Sequence, residues 1–305
     1  MEMNLPLEVE RKTASISNLR PQATDALTVV SLTDDDREEV LSFLARRPIH
    51  TFGLAGFIHS NGIVSPHNRG QFYGCRNTKG QLEGVALIGH HTLFETDNET
   101  AIAIFARLAQ EHSDVYMLLG EQEKVERFWH YYGEGGREAR LYCRELLFEQ
   151  TWPVQMMEPV SEMRLAAIED LNLILPAHAE TAFYESGINP LEADLEGFGN
   201  RCARRIAKGQ TWVWIDKGKL LFKAEVLTDT PEVIYLEGIW VDCQERGKGY
   251  GLRCMLQLAR DFLQRTKSIC LLVNGKNHEA QVFYEKTGFR VISYYDTIFL
   301  KKEVN

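Results

Sequence analysis

In Arg246-Gly247-Lys248-Gly249-Tyr250-Gly251, three glycines alternate with two cations and a tyrosine. Glycine lets a backbone come close to a ligand, and the first amides of a following helix are unpaired donors. The helix dipole and the charges of Arg246 and Lys248 add to the pull, so the natural guest is an anion, above all a diphosphate. The loop follows the strand-forming run VIYLEGIWV and opens a helix over 250–266 whose apolar face carries Leu252, Met255, Leu256, Leu258 and Phe262. A plain strand-to-helix turn is the ordinary alternative. A dinucleotide-binding fold is another, but it asks for an acid about 20 residues on to hold a ribose, and the next strand ends Leu272-Val273-Asn274. The Lys-Ser/Thr pair of a nucleotide P-loop is absent too.

A second pattern follows: Asn277-His278-Glu279-Ala280-Gln281-Val282-Phe283-Tyr284-Glu285-Lys286-Thr287-Gly288-Phe289. Together the two segments resemble the GNAT N-acetyltransferase superfamily. Its signature Arg/Gln-x-x-Gly-x-Gly/Ala follows the fourth strand, and its motif Asn-x-x-Ala-x-x-Leu/Phe-Tyr-x-x-x-Gly-Phe comes one strand later. The match spans about residues 160–300, and Cys243, where proline is frequent, departs from it.

The resemblance implies an acetyl-CoA-dependent N-acetyltransferase that passes an acetyl group to a primary amine by direct attack in a ternary complex. It assigns the cofactor's diphosphate to Arg246, Gly247, Lys248, Gly249, Tyr250 and Gly251, and its pantetheine arm to the strand edge at Ile239, Trp240 and Val241. Asn277 and Phe283 complete the cofactor contacts, although Asn277 also suits a helix N-cap. Tyr284 would protonate the departing thiolate; its plain alternative is a packing aromatic. The attacking amine must be neutral, yet a lysine-like amine titrates near pH 10. Glu237, on the strand entering the cleft, is the expected base, with Glu225 second; either could equally be an ordinary strand carboxylate or an ion-pair partner. Tyr184 and Glu185, placed in a break between the first two helices of this half, fall where the family meets its acceptor.

These residues need a scaffold, and the chain offers it twice. From Leu27, strands and helices alternate in the order βααβββαβαββ, and after the linker EQTWPVQMMEPV the order recurs, ending in strands FRVIS and YYDTIFL. The expected architecture is α/β (α+β): two GNAT-like domains, each a central mixed, mostly antiparallel sheet flanked by helices. The boundaries are a lead-in over 1–25, a degenerate domain over 26–150 and a catalytic domain over 151–305. In the first half the turn matching the diphosphate loop reads Phe94-Glu95-Thr96-Asp97-Asn98-Glu99-Thr100, without glycine and with three acids, so it repels phosphate. This half is expected to pack on the active one and shape the acceptor cleft. His90 and His91, adjacent in a strand, point to opposite faces and read as structural.

Composition narrows the classes. Across 305 residues the net charge is −9, against a general nucleic-acid binder. No apolar run approaches the roughly 20 residues that span a bilayer, and the first residues lack the pattern of a secretory signal, so a cytoplasmic address is expected. Six scattered cysteines, without a Cys-x-x-Cys pair or metal-ligand spacing, read as reduced and mostly buried, and no metal is expected. A homodimer is left open. The rival reading is a non-catalytic acyl-CoA-binding or regulatory module; within the enzyme class, transfer of another acyl group is the alternative.

Overall fold

The computed structural model describes residues 26–301, so the lead-in expected over 1–25 lies outside the described residues. The first half runs β1 (Thr28–Ser31), α1 (Arg37–Leu44), α2 (Phe52–Asn61), β2 (Gly70–Arg76), β3 (Leu82–Gly89), β4 (His91–Glu95), α3 (Glu99–Gln110), β5 (Met117–Glu121), α4 (Gln122–Tyr132) and β6 (Ala139–Gln150). The second runs β7 (Met163–Leu165), α5 (Leu171–Ser186), α6 (Pro190–Ala193), α7 (Leu195–Ala207), β8 (Thr211–Asp216), β9 (Lys219–Asp229), β10 (Val233–Val241), α8 (Tyr250–Phe262), β11 (Ser268–Asn274), α9 (His278–Lys286) and β12 (Arg290–Leu300).

The strands join one sheet in the order β1-β2-β3-β4-β5-β12-β6-β11-β10-β9-β8-β7. That order is symmetric about its centre once β1–β6 are matched to β7–β12, as a duplicated unit requires. The final strands are exchanged: β12 lies beside β5 of the first half, and β6 beside β11 of the second. β6 and β12 then pair antiparallel with each other from Glu149–Arg290 to Ala139–Leu300. Phe52, Leu147, Val233, Tyr235, Cys270 and Tyr295, drawn from both halves, form a shared apolar cluster at this seam.

Helices turn their apolar stripes onto the sheet. α8 buries Cys254, Met255, Leu258, Ala259 and Phe262, and α3 buries Ala101, Ile102, Phe105 and Ala109. Two local expectations need correction. The closing strands are one, β12, because a register shift between Val291 and Ser293 lets the chain bend without leaving the ladder. Tyr184 and Glu185 lie in the last turn of α5, which continues past Pro176 to Ser186, so no break separates them from the helix. All six cysteines are free; Cys75, Cys202, Cys254 and Cys270 are buried, while Cys243 is exposed. Among the described residues no helix is long and apolar enough to cross a membrane.

Candidate active site

β10 runs parallel to β11 only from Val233 to Tyr235, opposite Ser268–Cys270. Beyond Tyr235 the strands part, and the rest of β10 keeps a strand partner only in β9. There the register slips: Glu237 faces Glu225 while Trp240 faces Lys223, so β10 carries one extra residue. Gly238 takes up the bulge at φ +56°, where a Cβ would stand 2.9 Å from the Lys223 ammonium. The edge through Ile239, Trp240 and Val241 is left open to an extended ligand that adds on as a strand.

The loop after β10 ends on α8, whose N-cap is Gly249 at φ +83° with no side-chain cap. A Cβ at Gly247 or Gly249 would meet nothing within 4 Å, so the cradle is open. Gly251 is the opposite case: a Cβ there would stand 3.0 Å from Val241 and 3.4 Å from Phe283, which draws the start of α8 against β10 and α9. Lys248 donates to Glu245 at 2.8 Å, and the Arg246 guanidinium to the Val241 carbonyl at 3.2 Å.

The matching turn of the first half is satisfied from within. The Asn98 side chain caps α3, accepting from the amides of Thr100 at 2.9 Å and Ala101 at 3.3 Å. Lys124 on α4 bridges Glu95 at 2.9 Å and Asp97 at 3.1 Å. A side-chain oxygen stands where an anion would bind, with two acids behind it.

α9 brings the second motif beside the splay. Asn277 caps this helix, accepting from the Ala280 amide at 3.1 Å. Tyr284 is 8% exposed and packs among Phe148, Phe283 and Phe289, with ring centroids 5.2 to 6.1 Å away. Its hydroxyl has no hydrogen-bond partner among the described residues. Burial, with the nearby charge of Glu185 adding to it, raises the phenol above its ordinary value, so it stays protonated.

Between the halves lies a cleft of about 570 Å³, lined by α2 of the first half, α5 and α7 of the second, and Tyr235, Glu237 and Gly238 of β10. α2 reaches it because Gly56 allows close approach: a Cβ there would strike the Thr228 hydroxyl at 2.2 Å. Phe52, at the start of α2, stacks on Tyr235 at 4.0 Å. Glu237 accepts from Arg205 at 2.8 Å. Glu185 opens onto the cleft's solvent yet is ringed by protein; that surrounding, with repulsion from Glu237 and Glu145, pushes its pKa up to about 8. Glu145, on β6, is pushed up to about 7 by burial, against the Thr297 hydroxyl that bonds to it. Tyr184 is 75% exposed and outside the cleft lining.

Glu225 is 1% exposed beside a fully buried Lys223 at 3.1 Å, and it also pairs with Arg205 and, at 2.9 Å, with His178. Burial alone would raise its pKa, but Lys223, Arg205 and His178 outweigh burial and hold it well below the ordinary range. The stabilisation is fully present above the ordinary carboxylate range and is lost as pH falls toward the depressed value. Glu225→Gln strands Lys223, so urea melts are expected to show a loss of ~3–5 kcal/mol. A substrate-contact role would instead move an acceptor KM and leave the melt in place.

The sequence reading missed two groups. Glu145 alternates inconspicuously along a strand. Arg201, Arg204, Arg205 and Lys208 line the cleft, and their i, i+3, i+4, i+7 spacing along α7 and its C-terminal cap was a legible sign of one charged face. His90 is a bend residue rather than a strand residue, its ring in edge contact with His91 at 4.9 Å, and both imidazoles are held neutral chiefly by burial, at about 4 and about 3.

Residues 223–298 match the family model described as FR47-like protein. No curated protein gives a significant match. Among solved structures, a Drosophila protein is similar over 90% of this chain and 99% of its own, with 12% identity and a TM-score of 0.65. A tandem GNAT protein from the clavulanic acid biosynthesis pathway matches over 92% of this chain and 100% of its own, at 11% identity and a TM-score of 0.56. A GNAT-family acetyltransferase from Colwellia psychrerythraea matches over 90% and 100%, at 14% identity and a TM-score of 0.53. The fold is the GNAT fold in tandem.

Proposed function

We propose, for a chain whose fold and FR47-like segment fit the GNAT superfamily in its tandem form, an acetyl-CoA-dependent N-acetyltransferase in which the second half carries the chemistry. The observation that carries this reading is the contrast between two equivalent helix starts: α3 is capped by Asn98, whereas α8 offers open amides behind Gly249. Such a terminus suits a diphosphate, and the open edge of β10 next to it suits an extended amide-bearing arm.

Acetyl-CoA, when bound, supplies an acetyl group activated as a thioester. The residues from Arg246 to Gly251 hold its diphosphate, Ile239 to Val241 pair with its arm, Phe283 backs the start of α8, and Asn277 caps α9. Backbone donors on the bulged edge of β10 stabilise charge developing on the carbonyl oxygen. The Tyr284 hydroxyl holds the proton required by the departing sulfur. Glu185 takes the proton of the incoming amine, directly or through water. It is better suited to this than Glu237, which is committed to Arg205. Direct attack is favoured over an acyl-cysteine route because the thiol of Cys143, beside Glu185, is pushed up to about 11 by burial and is not a thiolate near neutral pH.

The test is calorimetric titration with acetyl-CoA, followed by an amine screen that detects free thiol. Absence of cofactor binding rejects the reading; binding without turnover on any amine leaves an acyl-CoA-binding module. Gly249→Asp refines it. Aspartate is a good N-cap and tolerates the left-handed backbone, so the fold should survive. It places a repelling charge at the open donors, which Asn98 instead covers from an extended backbone. The Kd for acetyl-CoA is expected to rise about 10–100-fold, given charge-assisted bonds of roughly 1.5–3 kcal/mol, with a fall in stability limited to the ~1–2 kcal/mol that a side chain costs in the left-handed region at Gly249.

A further inference from the structure

The chain is acidic overall, yet the cleft is not. Its lining contains Arg69, Arg201, Arg204, Arg205 and Lys208 against only Asp194, Glu185 and Glu237 among Asp and Glu residues. Two of these cations are spent: Arg205 on Glu225 and Glu237, and Arg201 on Asp194 at 3.0 Å. The other three have no carboxylate within ion-pair range among the described residues. Arg69 meets His90 Nδ1 at 3.0 Å, Arg204 meets His67 Nδ1, and Lys208 donates to the Ser60 carbonyl at 2.9 Å and to Asn61 at 3.1 Å. His90 is neutral, so its Nδ1 can accept from Arg69, but an imidazole carries no negative charge to balance it.

Arg69 carries a second mark. Its backbone is fixed: at φ +51° it caps the turn Pro66–Asn68, its amide donating to the Pro66 carbonyl at 3.2 Å. Burial and the charge of Arg201 both press on its guanidinium. A planar fork kept among cations, without an acid of its own, is complementary to an oxyanion.

Elsewhere in the same cleft stands Glu185, the group that would receive an ammonium, since Glu237 is paired with Arg205. We infer that the acceptor is an amine that also bears an anionic group, a carboxylate or a phosphate, with the anion on Arg69 and Arg204 and the amine at Glu185. The inference rests on the N-acetyltransferase reading and deepens it by naming the substrate class. It also reverses the preference that the overall acidity would favour, a polycationic amine.

Matched acceptors separate the possibilities: 4-aminobutyrate against 4-aminobutyramide, leucine against leucinamide, O-phosphoethanolamine against ethanolamine, with spermidine as the polycation. With acetyl-CoA saturating, kcat/KM is expected to be at least about tenfold higher for the anionic member of the productive pair, since one charge-assisted contact is worth roughly 1.5–3 kcal/mol. The carboxylate and phosphate arms show which oxyanion is read. In Arg69→Gln and Arg204→Gln, each made singly and checked by melting, that preference should collapse through KM while the Kd for acetyl-CoA stays put. Lys208→Gln, at an exposed position, serves if either arginine variant melts early. Preference for the amides, ethanolamine or spermidine, or an anion preference that survives the substitutions, overturns the inference and leaves the enzyme reading intact. Failure to bind acetyl-CoA, or binding without turnover on any amine, overturns both.

Discussion

Tyr284→Phe is expected to lower kcat by between about a hundredfold and ten-thousandfold, the range that a positioned proton donor contributes. The Kd for acetyl-CoA should not change. The phenol is buried among three aromatic rings, so phenylalanine keeps the packing, and its hydroxyl bonds to no described residue, so nothing is left unpaired. Melting temperature should therefore hold, which separates loss of chemistry from loss of fold. Because burial keeps the phenol protonated well past neutral pH, the wild-type rate should show no descending limb from this group below its ordinary value. If turnover persists at the wild-type level, the proton for the leaving sulfur comes from elsewhere and Tyr284 is only a packing residue.

The contrast between the two equivalent helix starts was legible in composition. Glycines and cations precede α8, while Glu95, Asp97 and Asn98 precede α3. The type of residue decides whether helix-end donors are left open or capped locally, and both are short-range properties that a sequence displays. The element order and its repetition were legible for the same reason, since apolar periodicity is local. The partner of a strand is not. The patterns of β6 and β12 fit a neighbour in either half, and nothing in Ala139–Gln150 or Arg290–Leu300 announces that each pairs across the seam. The cleft between the halves was illegible on the same ground. Arg69 and His90 come from one half and Glu185 and Arg204 from the other, and only the exchanged sheet brings them to one wall. Glu225 shows the limit from another side: a strand carboxylate two residues from a lysine reads as exposed, and only its depth makes it part of a buried ion cluster.

If the proposed base is right, Glu185 is where that tertiary placement is expected to matter most for rate. Its side chain is exposed to the cleft, yet the protein ringing the carboxyl and then Glu237 and Glu145 push its pKa up to about 8. A base at that value accepts a proton from an ammonium far better than an ordinary carboxylate does, while still ionising within reach of neutral pH. Wild-type kcat/KM is therefore expected to rise about tenfold per pH unit below this value and to level off above it, for binding of a protonated amine to ionised Glu185. In Glu185→Gln the break near 8 should vanish, and the climb should continue toward the amine's own value near 10, with a loss of about a hundredfold or more at the former plateau. The carboxylates titrate as a set, so Glu145→Gln should move the break downward by removing a like charge rather than abolish it. Glu237→Gln, which disturbs the pair with Arg205, should shift it in the same direction and leave it visible. A profile whose break survives Glu185→Gln but disappears with Glu237→Gln would hand the base to the strand residue. The splay of β10 would then supply both the oxyanion donor and the proton acceptor.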